Sequence, residues 1–354
     1  MAAFAHSACM TRCVAVNTAF ESVWPQVPDR LVERWRSAGP VEYVHVGPDD
    51  DRPLAAVLDD PAAIEQLVAL GVEVTDDCVA ALSNLEEATV MDGGYAPDEA
   101  AHAALEAAGV TTHFHESEGF WGQSVAELAL GITIGAMRRI PGKHRGITEG
   151  TDVWDRDRWA ERADEGYGGF QGTADTPFWT HGTVDGTNLR AVGVGNIGSR
   201  YLDVMGSLGA DVAAYDPYAD EPCFHRAGVR QVHRLEALVD DAEIFAPLVP
   251  LTDETEGLVD RDLVYDLPEG CLVVLVTRAG VTDFEAVRER VLADEIALAA
   301  DVFDEEPLAP DDPLVGRDNV VHTPHVAGRT PDANDAWARM LLARFPGSGF
   351  SGPD

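Results

Sequence analysis

From residue 189 onward the hydrophobic and polar positions change period in a regular way. Short apolar runs at 189–194, 211–215, 243–248, 272–276, 296–300 and 319–322 read as strands. Stretches such as 197–208 and 283–293 between them read as helices, and a final helix is expected near 331–344. Strands alternating with helices predict a parallel, doubly wound α/β sheet.

The first hundred residues carry a weaker α/β pattern. Val41 to Val46 reads as a strand, and Pro61 to Leu70 and Pro97 to Ala108 read as helices, the second closed by Gly109 as a C-terminal cap. Val110 to Phe114 reads as a strand. Val125, Leu128, Ile132 and Ile134 predict a mostly buried helix from Ser124 to Arg139. Ser124 suits its N-cap, Glu127 completes a capping box, and Pro141 is expected to stop it. Gly142 to Gly186 has little period and reads as a long surface excursion. Its aromatics, Trp154, Trp159, Phe170, Phe178 and Trp179, leave a linker and an oligomer arm as equal readings. At 354 residues the chain is too long for one core and comfortable for two domains.

The run Gly193-Val194-Gly195-Asn196-Ile197-Gly198 follows the strand ending in Ala191-Val192 and opens a helix. Gly193 permits a tight turn, Gly195 lets backbone approach a pyrophosphate, and Gly198 allows close helix–strand packing. The helix N-terminus then offers free N–H groups to phosphates. Asp216 ends the next strand, 18 residues past Gly198, where a carboxylate can bind adenosine ribose hydroxyls. It favours NAD over NADP, because a 2′-phosphate would meet a like charge; Arg226 could serve a phosphate only if its loop folds back. Farther on, Arg278, Glu306 and His325 fall in order. A guanidinium, a carboxylate and an imidazole are what a hydride-transfer site needs to hold and protonate a 2-keto acid.

Six signatures in order carry a resemblance. They are the glycine turn, Ala214-Tyr215-Asp216-Pro217-Tyr218, Pro250-Leu251-Thr252, Thr277-Arg278-Ala279-Gly280, Asp301-Val302-Phe303 with Glu306-Pro307, and Thr323-Pro324-His325. Together they resemble the D-isomer-specific 2-hydroxyacid dehydrogenase family, and Ser124-Val125-Ala126-Glu127-Leu128 is similar to the family's segment leading into its interdomain helix. The resemblance implies a Rossmann-type NAD-binding domain, 124–329, inserted into a smaller flavodoxin-like substrate domain, 1–123 with 330–354, with the chemistry in the cleft. It implies that Arg278 grips the substrate carboxylate, His325 exchanges a proton with the carbonyl oxygen, and Glu306 hydrogen-bonds the imidazole and fixes its tautomer. Cofactor contacts are implied at Gly193, Gly195, Asn196, Ile197, Gly198, Asp216, Pro250, Val276, Thr277, Arg278, Asp301, His325 and Gly328. Gly93 and Gly94 are a second candidate grip on the carboxylate, although Tyr95-Ala96-Pro97-Asp98 departs from the Asp-Asn-Val-Asp usual after the family's glycine pair. Phe120 and Trp121 could wall the pocket, lie over the nicotinamide or pack in the core; His322 reads as a structural strand residue. Glutamate at 306 argues against formate oxidation, and with no regulatory domain after residue 354 the likeness to phosphoglycerate dehydrogenases is expected to be to short forms. The implied activity is NAD(P)H-linked interconversion of a 2-keto acid and a D-2-hydroxy acid, with NADP as the second cofactor candidate, no metal, and a homodimer by analogy. The competing class is a non-catalytic, dinucleotide-sensing binding protein of the same fold.

Charge narrows the setting. The chain has 62 acidic against 25 basic residues, a net charge of −37, and a single lysine, Lys143. Such a surface excludes nucleic acid and anionic membranes as partners. The N-terminus lacks a basic region before an apolar run, and Val125 to Met137 is too short and interrupted to span a bilayer, so a cytoplasmic protein is expected. The five cysteines, Cys9, Cys13, Cys78, Cys223 and Cys271, lack zinc-site spacing and read as buried or incidental thiols. Because the acids are spread along the whole chain, the sequence reads as that of a halophile, whose salt-rich cytoplasm screens self-repulsion. Circular dichroism should therefore show structure lost on dilution from molar to near-zero salt; cooperative unfolding that ignores salt would refute this.

Overall fold

A computed structural model describes residues 11–94, 96–114, 119–150 and 182–345. The chain divides into two compact units, Met1–Trp121 with Arg329–Asp354, and Gly122–Gly328. Cys9 and the aromatic residues from Trp154 to Trp179 lie outside the described residues.

The first unit is built on five parallel strands, β1 (Arg12–Asn17), β2 (Val41–Val46), β3 (Gln66–Leu70), β4 (Glu87–Met91) and β5 (Thr111–Thr112), in the order β2-β1-β3-β4-β5. This is the flavodoxin order. The expected helix over Pro61 to Leu70 is not formed: Pro61–Ala63 makes one 3-10 turn and Gln66–Leu70 becomes a central strand. The reason is burial on both faces. Leu67 and Ala69 point into one core with Cys13 and Ala15, while Val68 and Leu70 point into another with Val14 and Val16. A strand covered on both sides reads as a continuous apolar run, which short helices also show. The Val110 to Phe114 strand shrinks to the two residues of β5.

Six helices belong with this sheet or follow it: α1 (Thr18–Val23), α2 (Val27–Arg36), α3 (Asp76–Ala81), α4 (Glu99–Ala107), and, opening the second unit, α5 (Gly122–Met137) and α6 (Ile140–Glu149). Asp98 caps α4 by accepting from the Ala101 N–H, and Gly109, with φ +87°, leaves it as expected. Phe120 is core, not pocket wall. It is 5% exposed and stacks on Trp337 at 4.9 Å between ring centroids, with Trp24 and Trp121 edge-on at 5.7 and 4.2 Å. Cys13, Cys78 and Cys271 are buried, and desolvation pushes the Cys271 thiol up to about 12.

Ser124 is not the N-cap of α5. The helix starts two residues earlier, and the Ser124 hydroxyl donates instead to the Ala327 carbonyl. After α5, Arg139 takes a left-handed φ of +50° and Pro141 lies in the first turn of α6, so the first part of the expected excursion, up to Glu149, is helical. Proline at the first turn costs no hydrogen bond, which is why it can open a helix as readily as stop one.

The second unit carries seven parallel strands, β6 (Asn188–Val192), β7 (Asp211–Tyr215), β8 (Arg230–Gln231), β9 (Ile244–Pro247), β10 (Leu272–Leu275), β11 (Ala297–Ala300) and β12 (Val320–His322). Their order is β12-β11-β10-β9-β6-β7-β8. The order in which successive strands are added reverses between β6 and β9, the switch point at which a Rossmann sheet opens a crevice beyond its strand C-termini. Helices α7 (Asn196–Ser207), α8 (Glu221–Arg226), α9 (Glu236–Val239), α10 (Arg261–Asp266) and α11 (Phe284–Leu292) connect the strands. Arg190, buried in β6, donates to Asp241 at 2.6 and 2.7 Å and to the Asp211 carbonyl at 2.6 Å, tying β6 to β7 and holding the Asp241 carboxyl below the usual range. Helix α12 (Pro331–Leu342) returns to the first unit, packs on α2 and brings in Trp337. No helix among the described residues is long and apolar enough to cross a membrane.

Removing the Phe120 ring should open a cavity that neighbouring rings cannot fill. Phe120→Ala is expected to cost about 3–5 kcal/mol, read by denaturant unfolding in molar salt; a loss below about 1 kcal/mol would contradict its place in the core.

Candidate active site

The glycine turn is shaped by close approach. Gly193 sits at φ +99°, and a Cβ there would lie 2.8 Å from Val249 Cγ1 and 3.1 Å from the Leu248 carbonyl. A Cβ on Gly198 would overlap the Gly193 carbonyl. Gly195 is different: it is exposed, with nothing within 4 Å of its Cβ position. That open face, next to the first N–H groups of α7, suits a phosphate. Asn196 and Ile197 form the first turn of α7, partly exposed.

Asp216 closes the turn from the other side. Its carboxylate accepts from the Val194 N–H at 2.9 Å and from the Tyr218 and Ala219 N–H groups at 3.0 Å. The acid is thus fixed against the glycine turn at the end of β7. The residues present fit a dinucleotide: two glycines demanded by sterics, one left open, and a carboxylate positioned beside them.

The remaining candidates gather by register. Leu275 pairs with Ala300, and Ala300 with His322, so Arg278, Phe303 and His325 each lie three residues past the same rung of adjacent strands. Neighbouring strands stand about 4.8 Å apart, which brings these segments together at one sheet edge. His325 Nδ1 lies 2.7 Å from Glu306 Oε2, and Glu306 Oε1 accepts from the Phe303 N–H at 2.9 Å. An ionised carboxylate only accepts, so Nδ1 carries the hydrogen and Nε2 is the nitrogen left for proton exchange. His325 itself holds a left-handed φ of +52°. The half-buried Arg278 donates from NH1 to the Thr277 carbonyl at 2.7 Å. It lines a cavity of about 630 Å³ with Leu251, Gly280, Phe284, Phe303 and Asp304.

Asp301 has a role that its sequence position did not disclose. It is fully buried, and Oδ1 accepts from the Thr323 hydroxyl at 2.5 Å and the Val326 N–H at 3.0 Å, while Oδ2 accepts from the Ala327 N–H at 2.9 Å. One carboxylate therefore clamps both sides of His325. Thr323, not singled out from the sequence beyond its place in Thr-Pro-His, supplies a third of that clamp.

Residues 136–327 match the family described as D-isomer specific 2-hydroxyacid dehydrogenase, NAD binding domain. The chain belongs to this family. A D-3-phosphoglycerate dehydrogenase of Archaeoglobus fulgidus is 31% identical over 211 residues, 59% of this chain and 36% of that protein. The one from Mycobacterium bovis is 30% identical over 296 residues, 82% of this chain and 49% of that protein. The chain thus spans about a third to a half of the length of these curated relatives. Among solved structures, the apo form of Rhodotorula graminis D-mandelate dehydrogenase superposes with a TM-score of 0.65 at 19% identity, covering 94% of each chain, which speaks for the fold.

The other candidates of this dehydrogenase-family chain fall as follows. Pro250 is exposed past β9, its carbonyl accepting from the Thr255 hydroxyl at 2.5 Å. Val276 and Thr277 are buried, 4% and 7% exposed, so they can offer a ligand backbone more readily than side chain. Gly328 follows the clamped Ala327. Gly93 and Gly94 lie in the first unit, past β4. The Gly94 N–H already donates to Asp92 Oδ1 at 2.7 Å, which also accepts from Ala96 at 3.2 Å. A substrate carboxylate would have to displace that acid.

Asp301→Asn preserves volume but turns one acceptor into a donor facing donors. It should lower stability by about 1–3 kcal/mol in urea unfolding; an unchanged midpoint would show that the clamp is dispensable.

Proposed function

We propose that the protein interconverts a 2-keto acid and a D-2-hydroxy acid by hydride transfer with NAD(H). The observation that carries this reading is the 2.7 Å pairing of His325 Nδ1 with Glu306, past β12, at the same sheet edge as Arg278 past β10, with β11 between them. The nicotinamide, when bound, supplies or accepts the hydride. Gly193, Gly195, Gly198 and the head of α7 would hold the pyrophosphate, and Asp216 the adenosine ribose. Pro250, Val276, Thr277, Asp301 and Gly328 would border the cofactor. Arg278 would bind the substrate carboxylate through its planar fork. His325 Nε2 would give a proton to the carbonyl oxygen during reduction and remove it from the hydroxyl during oxidation. Glu306 would keep Nδ1 protonated and the ring in one orientation.

NAD is the preferred cofactor in this reading. Besides Asp216, Glu254 accepts from the Tyr218 hydroxyl at 2.7 Å, so two carboxylates are tied to the segment past β7 where a 2′-phosphate would have to settle. Glyoxylate and hydroxypyruvate are the first substrates to try. The −37 charge supports a protein of salt-rich cytoplasm that contacts neither nucleic acid nor membrane, and the family analogy supports a homodimer.

The test is loss of NADH absorbance with a panel of 2-keto acids in molar salt. At least one acid should be reduced, faster with NADH than with NADPH. His325→Phe should lower kcat about 10²–10⁴-fold. Arg278→Gln should raise KM for the acid and lower kcat/KM by a factor on the order of 10². Dinucleotide binding with no turnover across the panel would instead support a sensor, and undiminished turnover by Arg278→Gln would end the assignment.

A further inference from the structure

On the hydride-transfer reading, on which this step rests, we propose that the cavity beside Arg278 receives the end of the substrate remote from its keto acid. It selects 2-keto acids with an uncharged, apolar end over those ending in a phosphate or a second carboxylate. The cavity, about 630 Å³, is lined by residues of the second unit alone and has the size of a small-molecule site. It adjoins the candidate machinery through two residues. Arg278 lines it, and so does Phe303, whose N–H donates to the Glu306 carboxylate that pairs with His325.

The lining divides into an apolar floor and an acidic rim. Phe284 and Phe303 are 5% and 9% exposed, and their rings meet edge to face at 6.1 Å between centroids. Leu251, exposed, adds apolar surface nearer the solvent. Every methylene that a substrate moves from water onto such a surface favours binding. The rim is made of carboxylates: Glu256, Glu285 and Asp304 are exposed, and Asp283 is half-buried, accepting from the Ala286 N–H at the head of α11.

A second anion would meet no compensating charge here. Arg278 is the one cation of this lining among the described residues, and the substrate's own keto acid carboxylate would take it. Arg288, over the Phe284 ring at 5.5 Å, is already held by Asp304 at 3.2 Å and Asp312 at 2.8 Å. The Thr282 hydroxyl is spent on the Ala279 carbonyl at 2.9 Å. An anionic end would therefore exchange water for two aromatic rings and four like charges. The loss of hydration is a contact effect, so the discrimination survives at molar salt, where only long-range repulsion is screened. An uncharged apolar end leaves no polar group unpaired.

The test is kcat/KM of the full chain with NADH in molar salt for glyoxylate, 4-methyl-2-oxopentanoate, 2-oxoglutarate and 3-phosphohydroxypyruvate. 4-Methyl-2-oxopentanoate should exceed glyoxylate by about tenfold or more. It should exceed the two acids with anionic ends by about 10²-fold or more. Glu256→Arg brings a cation to the rim and should raise 2-oxoglutarate about tenfold relative to 4-methyl-2-oxopentanoate. Asp262→Arg makes the same charge change at an exposed position of α10 outside the lining, and should leave that ratio as in the parent. Should Glu256→Arg not fold by its melting curve, Glu285→Arg takes its place. Glyoxylate reduced as well as 4-methyl-2-oxopentanoate, or anion-ended acids reduced as well as either, would overturn the proposal and leave hydride transfer standing. A rim variant whose ratio matches that of Asp262→Arg would do the same. Turnover of none of the four acids would bring down the hydride-transfer reading, and the cavity's role with it.

Discussion

The buried carboxylate of Asp301 is the constraint on which the candidate site depends. It sits just past β11 and takes three donors from the segment 323–327. A buried charge of this kind is tolerable only when its lone pairs are satisfied, and here the donors come from both sides of one residue, His325. That residue stands in a left-handed backbone conformation that a side chain other than glycine adopts at some cost. The clamp explains how the conformation is held: a turn pinned at 323, 326 and 327 leaves residue 325 little choice. The Nδ1–Glu306 bond then orients the ring. Fold, turn and ring orientation form a chain of dependence that begins with one acid just past β11.

The parallel sheet supplies the rest by register. Chemistry-bearing residues separated by 47 positions in sequence, Arg278 and His325, reach one edge because their strands flank a common neighbour. The switch between β6 and β9 places the glycine turn along the same edge. Nothing about hydride transfer is needed for this geometry; it follows from strand order and from which strand each residue follows.

Much of the second unit was legible in the sequence because its punctuation is local. Glycines 193, 195 and 198 announce a turn, with close approach found at Gly193 and Gly198 and open space at Gly195, and every expected strand from 189 onward is present within about two residues. The first unit was less legible. Gln66 to Leu70 has no period because both its faces are buried, and a proline before it imitated a helix start. Ser124 had the local pattern of a cap, yet its hydroxyl is used by Ala327, more than 200 residues away in sequence. Asp301 could be identified as a site residue but not as a clamp, for the same reason: its partners come from the segment after β12, more than 20 residues on. Phe120 is likewise decided by Trp24 and Trp337, which no sequence window contains together. Local grammar predicts elements; long-range pairing decides what a polar or aromatic side chain does.

Charge poses the remaining problem for function. A 2-keto acid and a dinucleotide are both anions, and this chain carries a net charge of −37. At low ionic strength, where screening extends about 30 Å at 0.01 M, such a surface opposes capture of either; at molar salt the range shrinks to about 3 Å and only the immediate surroundings matter. Recognition must then be local, by groups whose geometry is fixed. Among the described residues, Arg190, Arg288, Arg290 and Arg317 of the second unit are held in ion pairs, and Gly94 in the first unit already holds a carboxylate of its own chain. In the proposed reaction, anion binding would therefore rest on few donors: the N–H groups at the head of α7, and Arg278 past β10. If the proposed reaction holds, an acidic protein would handle its anions through a few cations at the strand ends, which act over distances that salt does not reach.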